Sequence, residues 1–152
     1  MSSLLKQAWS EVVRPMWKRP NRFQVAALCY RGKGERREVL LITSRGTGRW
    51  ILPKGWPIDG MNAAEAAMQE AWEEAGVKDG KIADQPLGEF HYVKHMDDGC
   101  AAPCSATVYP IKVKAMEEKF PEADERELKW VPAEEAAEMV DEKDLQQMLR
   151  DF

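Results

Sequence analysis

The sequence predicts an α/β domain in which a mixed sheet is sandwiched between helices. Three observations carry that prediction. Strand-like segments lie both before and after a single central helix, that helix (residues 63–75) repeats its apolar residues at the helical period, and two more helical segments follow a last short strand. The order of elements does not repeat, so periodicity alone leaves the strand order open.

Taken in order, residues 1–20 read as an N-terminal extension with one short helix, Ser3 to Val13, broken by Arg14-Pro15 and Arg19-Pro20. Its Trp9 and Trp17 are expected to pack it onto the domain formed by residues 21–152. Arg22 to Arg31 reads as a largely buried strand, Gly32-Lys33-Gly34 as a turn, and Arg37 to Ser44 as the partner strand. A glycine-rich loop then leads to a short strand, Arg49 to Leu52, and the loop Leu52-Pro53-Lys54-Gly55. After the central helix, Lys78 to Gly80 are expected to turn the chain. Leu87 to His95 alternates as a strand, Met96 to Pro103 reads as a loop, and Cys104 to Val113 as a strand that Pro110 marks as an edge or a bulge. A charged loop, Glu117 to Glu127, precedes the strand Leu128 to Val131. Pro132 is then placed at the first position of a helix over Glu134 to Val140, and Asp141 as the cap of a final helix reaching Leu149.

Composition narrows the classes of function. At 152 residues the chain suits one domain with a sizeable core. It contains no run of apolar residues long enough to span a bilayer and no secretory pattern at its start, and its three cysteines argue for a reducing, cytoplasmic setting. The net charge of −4 argues against nucleic acid as a partner, but its distribution is uneven: residues 1–54 carry +9 and residues 55–152 carry −13. A site between two such halves offers carboxylates to metal ions and guanidinium groups to a small-molecule polyphosphate.

The stretch Gly55 to Val77 concentrates the chemistry. On a helical wheel Ala64, Ala67, Met68, Ala71, Trp72 and Ala75 form the apolar stripe, while Glu70, Glu73 and Glu74 share another face at i, i+3, i+4. No lysine or arginine on that face offsets three like charges. A hard divalent cation, Mg²⁺ or Mn²⁺, supplies what is missing, with Glu70 and Glu74 as direct ligands, Glu73 bound directly or through water, and the Gly55 carbonyl as a further oxygen. Glycine at 55 lets the backbone come close to whatever the helix face binds, and Gly76 closes the helix. For gripping phosphates the candidates are Arg22, Arg45, Arg49 and Lys54, with Lys18 and Arg19 behind them. Glu118, Glu122, Asp124 and Glu125 are loop acids able to complete the site, and the sequence does not choose among them. Trp50 reads as core and Trp56 as either core or a stacking surface for a base. Cys100 and Cys104 with His91 and His95 lack the familiar spacing of a zinc site.

Gly55, Glu70, Ala71, Glu73, Glu74, Gly76 and Val77 resemble the Nudix hydrolase signature, G-x5-E-x7-R-E-U-x-E-E-x-G-U, where U is aliphatic; Met61 and Gln69 stand where that pattern has Glu and Arg. The resemblance implies a Nudix α/β/α sandwich over about residues 22–150 and hydrolysis of a diphosphate linkage. It also implies a general base drawn from the glutamate cluster or a distant loop, with Glu70 the first choice. In the family pattern the arginine pairs with a signature glutamate. Here Gln69 donates hydrogen bonds without charge, so metal affinity or pH optimum is expected to differ while catalysis survives. The segments Val25–Arg31, Glu38–Ile42, Ser44-Arg45, Arg49–Pro53 and Glu73–Lys78 look like the diphosphoinositol polyphosphate phosphohydrolase branch, which implies diphosphoinositol or dinucleoside polyphosphates as substrates. Gln24 occupies a place where that branch tends to be basic.

Overall fold

The computed structural model describes residues 22–95 and 99–152. The expected N-terminal helix, with Trp9, Trp17, Lys18 and Arg19, lies outside them. β1 (Arg22–Arg31) is buried from Gln24 to Cys29 without alternation because both of its faces are covered. It runs parallel to β7 (Ala101–Met116), from Arg22 opposite Cys104 to Tyr30 opposite Lys112. Its other edge is divided between two antiparallel partners, β2 (Glu38–Thr43) at one end and β4 (Lys54–Gly55) at the other. β2 carries β3 (Trp50–Ile51) on the edge it shares with β1, and β8 (Leu128–Pro132) pairs along its full length. The second edge of β7 is divided in the same way, between β5 (Val77–Ile82) and β6 (Gly88–His95). One parallel pair among antiparallel ones makes the sheet mixed, as expected.

Alternation along β1 assigns the two faces. Val25, Ala27 and Cys29 join Leu40, Ile42, Ile111 and the alanines of α1 (Ala63–Ala75). Ala26 and Leu28 join Phe90, Val108 and the helices α2 (Ala133–Met139) and α3 (Lys143–Asp151). The result is helix, sheet, helix.

Several local readings change. Lys78 to Gly80 are part of β5 rather than a turn; two register shifts, between Val77 and Asp79 and between Asp79 and Gly80, absorb the Asp-Gly pair within the strand. The strand read from Cys104 begins at Ala101 and continues to Met116. Pro110 lies in a central strand, at the point where β6 ends and β5 begins. Its carbonyl accepts from Ala83 N–H at 3.1 Å, so its missing N–H faces that gap and interrupts no ladder bond. Pro132 ends β8 and precedes α2 as its cap residue, and Asp141 caps nothing but pairs with Arg49 (3.3 Å); Glu142 precedes α3.

α1 begins with a capping box that the sequence reading missed: the Asn62 side chain accepts from Glu65 N–H, and the Glu65 carboxylate accepts from Asn62 N–H. Its buried residues are Ala66, Ala67, Ala71, Glu74 and Ala75, while Ala64, Met68 and Trp72 are only half-buried. The buried stripe is therefore rotated from the expected one. Alanines let the helix lie close on β1 and β4, and that closeness turns Glu70 and Glu74 toward the sheet instead of solvent. Gly76, at φ +73°, ends the helix as expected.

Candidate active site

The acidic half of α1 is also its C-terminal half, where the helix carbonyls already present partial negative charge and no basic residue lies in the last turn. The loop between β7 and β8 docks there because it brings donors to those carbonyls: Glu117 N–H reaches Gly76 O at 2.8 Å and Glu122 N–H reaches Glu73 O at 3.0 Å. Phe120 takes the space left by the absent side chain of Gly76, where a Cβ would sit 2.5 Å from its ring. Docking carries Glu122 and Arg126 into the acidic face.

There Glu74 is buried and fully engaged. One oxygen accepts from the Lys54 backbone N–H at 2.9 Å and the other from Arg126 Nη2 at 3.0 Å. Arg126 Nη2 also donates to Glu122 at 3.1 Å, and Arg126 Nη1 to the Thr43 carbonyl at 2.9 Å. Glu73 accepts from Gln69 Nε2 at 3.0 Å, the uncharged hydrogen bond expected of an amide at that position. Glu70 lies against Gly55 so closely that a Cβ there would be 2.3 Å from its carboxyl carbon. Burial first, then the neighbouring Glu74, Glu73 and Glu122 carboxylates, push the Glu70 carboxyl up to about 7 against the opposing pull of Arg126. Glu74 is pushed up by burial too, with Arg126 and the Lys54 N–H pulling it back down.

The phosphate-grip candidates separate. Arg45 comes to the acidic face, 3.4 Å from Glu122 and 3.6 Å from Glu125; its loop is closed by bonds between Ser44 and Arg49. Gly55 pairs with Val25 and so belongs to the α1 face, whereas Lys54 pairs with Ala26 and its side chain belongs to the opposite face. The Lys54 ammonium lies 4.7 Å from the Tyr92 ring centre, and burial lowers its pKa to about 8 despite Glu142 and Glu74. Arg49 turns to Asp141 at the junction of α2 and α3. Arg22 is exposed at the first residue of β1. Trp50 is half-buried in the core on the α2 and α3 side, and exposed Trp56 has the Lys94 ammonium 5.2 Å from its ring centre.

Residues 20–152 match the Nudix domain family model. The chain belongs to the Nudix domain family. Nudix hydrolase 12, mitochondrial, of Arabidopsis thaliana is 34% identical over 118 residues, which are 76% of this chain and 58% of that protein. Diphosphoinositol polyphosphate phosphohydrolase 3-beta of Bos taurus is 40% identical over 67 residues, 44% of this chain and 40% of that protein. The chain thus spans about three-fifths, or less, of the length of these curated relatives. Among solved structures, the C. elegans Ap4A hydrolase superposes with a TM-score of 0.61 at 19% identity, covering 88% of this chain and 96% of that one. The Nudix domain of Shewanella oneidensis NrtR, complexed with ADP ribose, gives 0.62 at 17% identity, covering 99% and 98%. At such identities the likeness is one of fold, and it agrees with the helix, sheet, helix layering.

In this Nudix domain the sequence reading missed Arg126, which supplies the cation that the helix lacks, and left Glu122 undistinguished among four loop acids. One signal was present: Arg126 is the only basic residue between Lys119 and Lys129 in an otherwise acidic run. The chemistry of the set fits a hard divalent cation, since Glu70, Glu73, Glu74, Glu122 and the Gly55 carbonyl all offer oxygens and Glu70 fills the space that a Cβ at 55 would take. As they stand, no three acidic, histidine or cysteine side chains among the described residues converge to enclose an ion. Gln69 holds Glu73, while Lys54 and Arg126 hold Glu74.

The raised Glu70 carboxyl predicts a pH-dependent stability. Its folded value of about 7 exceeds its ordinary 4.5, so the folded state binds the proton more tightly than the unfolded chain. That contribution is complete below about pH 4.5 and is lost as pH rises through about 7. With chelator present, the melting temperature of the parent is expected to drop more between pH 5 and 8 than that of Glu70→Gln. Equal drops in calorimetric scans would remove Glu70 as the source.

Proposed function

We propose that this chain is a divalent-metal-dependent hydrolase that cleaves the diphosphate linkage of a nucleoside diphosphate derivative, a dinucleoside polyphosphate or a diphosphoinositol polyphosphate. The observation that carries the reading is the seating of the Glu70 carboxylate against the Gly55 backbone, with Glu73, Glu74 and Glu122 close enough to raise its pKa or to share its cation. Bound Mg²⁺ or Mn²⁺ lowers the pKa of water and offsets charge on phosphoryl oxygens. The chain's own residues do the rest. Glu70, seated against Gly55, accepts the proton of the attacking water. Arg45, at the rim of the acidic face, exchanges its partners Glu122 and Glu125 for substrate phosphate. The names of the relatives, which include a diphosphoinositol polyphosphate phosphohydrolase and an Ap4A hydrolase, support densely phosphorylated substrates.

A second reading, a weakened Nudix module that binds a nucleotide or a protein partner, is favoured by one observation: Met61, where the signature has Glu, is exposed at 41% and adds no carboxylate. One experiment separates the two. Nucleoside-diphosphate-linked compounds, dinucleoside polyphosphates and diphosphoinositol phosphates are screened by mass spectrometry with Mg²⁺ and with chelator. Turnover of at least one class that chelator abolishes is expected. Turnover indifferent to chelator, or none with any substrate, would sink the hydrolase reading.

A further inference from the structure

We propose that Arg126 is a positioning residue of the acidic site, holding Glu74 and Glu122 at a fixed separation so that the cluster accepts a divalent cation. This rests on the reading of the cluster as a metal site. Arg126 comes from the loop before β8, far from α1 in sequence, yet its side chain is only 5% exposed. A buried guanidinium is stable only among acceptors, and this one has three: Glu74 Oε2, Glu122 Oε1 and the Thr43 carbonyl, at 3.0, 3.1 and 2.9 Å.

The three acceptors come from three elements. Glu74 is the last acid of α1, Glu122 lies in the docked loop, and Thr43 ends β2. The backbone of β2 fixes the loop independently, since Thr43 N–H donates to Glu127 O and Glu127 N–H to Thr43 Oγ1. Arg126 is therefore held from outside the acidic cluster and sets the distance between two carboxylates that would otherwise repel. Nη2 bridges the two carboxylates while Nη1 is tied to the Thr43 carbonyl, a two-nitrogen hold that a single ammonium would not provide. No substitute is at hand: on the helix Gln69 carries no charge and is occupied with Glu73, and in the loop after β2 Arg45, though it reaches Glu122, is 60% exposed. Arg126 Nε is buried without a partner in the described structure, so the grip depends wholly on the two Nη groups.

The test uses Mn²⁺ alone, added to the metal-free protein and followed by the electron paramagnetic resonance of free Mn²⁺, beside steady-state kinetics. Arg126→Gln is expected to bind Mn²⁺ about 10–100-fold more weakly, to lower kcat, and to leave the substrate KM within about twofold, because Arg126 touches carboxylates and not substrate. Arg126→Lys, which keeps the charge but loses the fork, is expected to fall between the two and guards against the glutamine variant failing to fold. Unchanged or tighter Mn²⁺ binding in a folded variant overturns the proposal. So does a rise in KM alone, which would place Arg126 on substrate phosphate. A parent that binds no Mn²⁺ overturns the metal-site reading itself, and the two failures are thereby told apart.

Discussion

Glu70→Gln is expected to lower diphosphate hydrolysis by about 10²–10⁴-fold at saturating metal, the range for loss of a positioned general base. The glutamine is isosteric, so the contact with Gly55 is kept and the loss is chemical. Glu70 is the member of the cluster least committed to other partners. Glu74 is tied to Lys54 N–H and Arg126, and Glu73 to Gln69. If Glu70 is the proton acceptor, the acidic limb of the pH profile is expected to weaken in the glutamine variant. A Glu70→Gln enzyme with parent kcat and kcat/KM on every substrate would assign the base elsewhere, and Glu122 would be the next to examine.

How much of this was legible in the sequence follows the range of the interactions involved. Features set within a few residues were readable: the glutamates at i, i+3, i+4, the helix end at Gly76, the continuous burial of β1, and an uncharged donor at Gln69 beside the glutamates. What the sequence hid is set by pairing at a distance. Arg126 meets Glu74 across 52 residues, and nothing local announces it. Asp79-Gly80 has the chemistry of a turn, yet β7 offers an edge on which a bulged strand satisfies more backbone groups than a turn would. Lys54 and Gly55 read as neighbours in one loop, the lysine a phosphate grip and the glycine carbonyl a metal ligand. As neighbours in β4 they point to opposite faces, so the lysine leaves the face that the glycine joins. The rotation of α1 has the same origin: the wheel gave an apolar stripe, but the close approach that alanines allow decided which edge of it meets the sheet. The acidic site is thus readable as a set of residues and unreadable as an arrangement, because its cation comes from another part of the chain.

Gly55→Ala is expected to reduce activity nearly as far as Glu70→Gln, by about 10²-fold or more, while the fold holds. Gly55 is a strand residue whose φ is outside the left-handed region, so alanine meets no backbone strain, and it lowers unfolded-state entropy by about 0.4–1 kcal/mol. The new Cβ would lie 2.3 Å from Glu70 Cδ and Oε1 and 2.7 Å from Oε2. Those atoms are the far end of a flexible side chain, so the conflict is resolved by the carboxylate swinging away rather than by the helix lifting. Stability and activity are therefore expected to part: a melting temperature within a few degrees of the parent, and a loss in kcat. If the loss comes from moving Glu70, the two substitutions act on one group and do not add. The double variant Gly55→Ala, Glu70→Gln should then be no slower than Glu70→Gln alone. Parent-level kcat in Gly55→Ala would mean that the working enzyme does not hold Glu70 against this glycine, and fully additive losses would mean that Gly55 serves the reaction by a route other than Glu70.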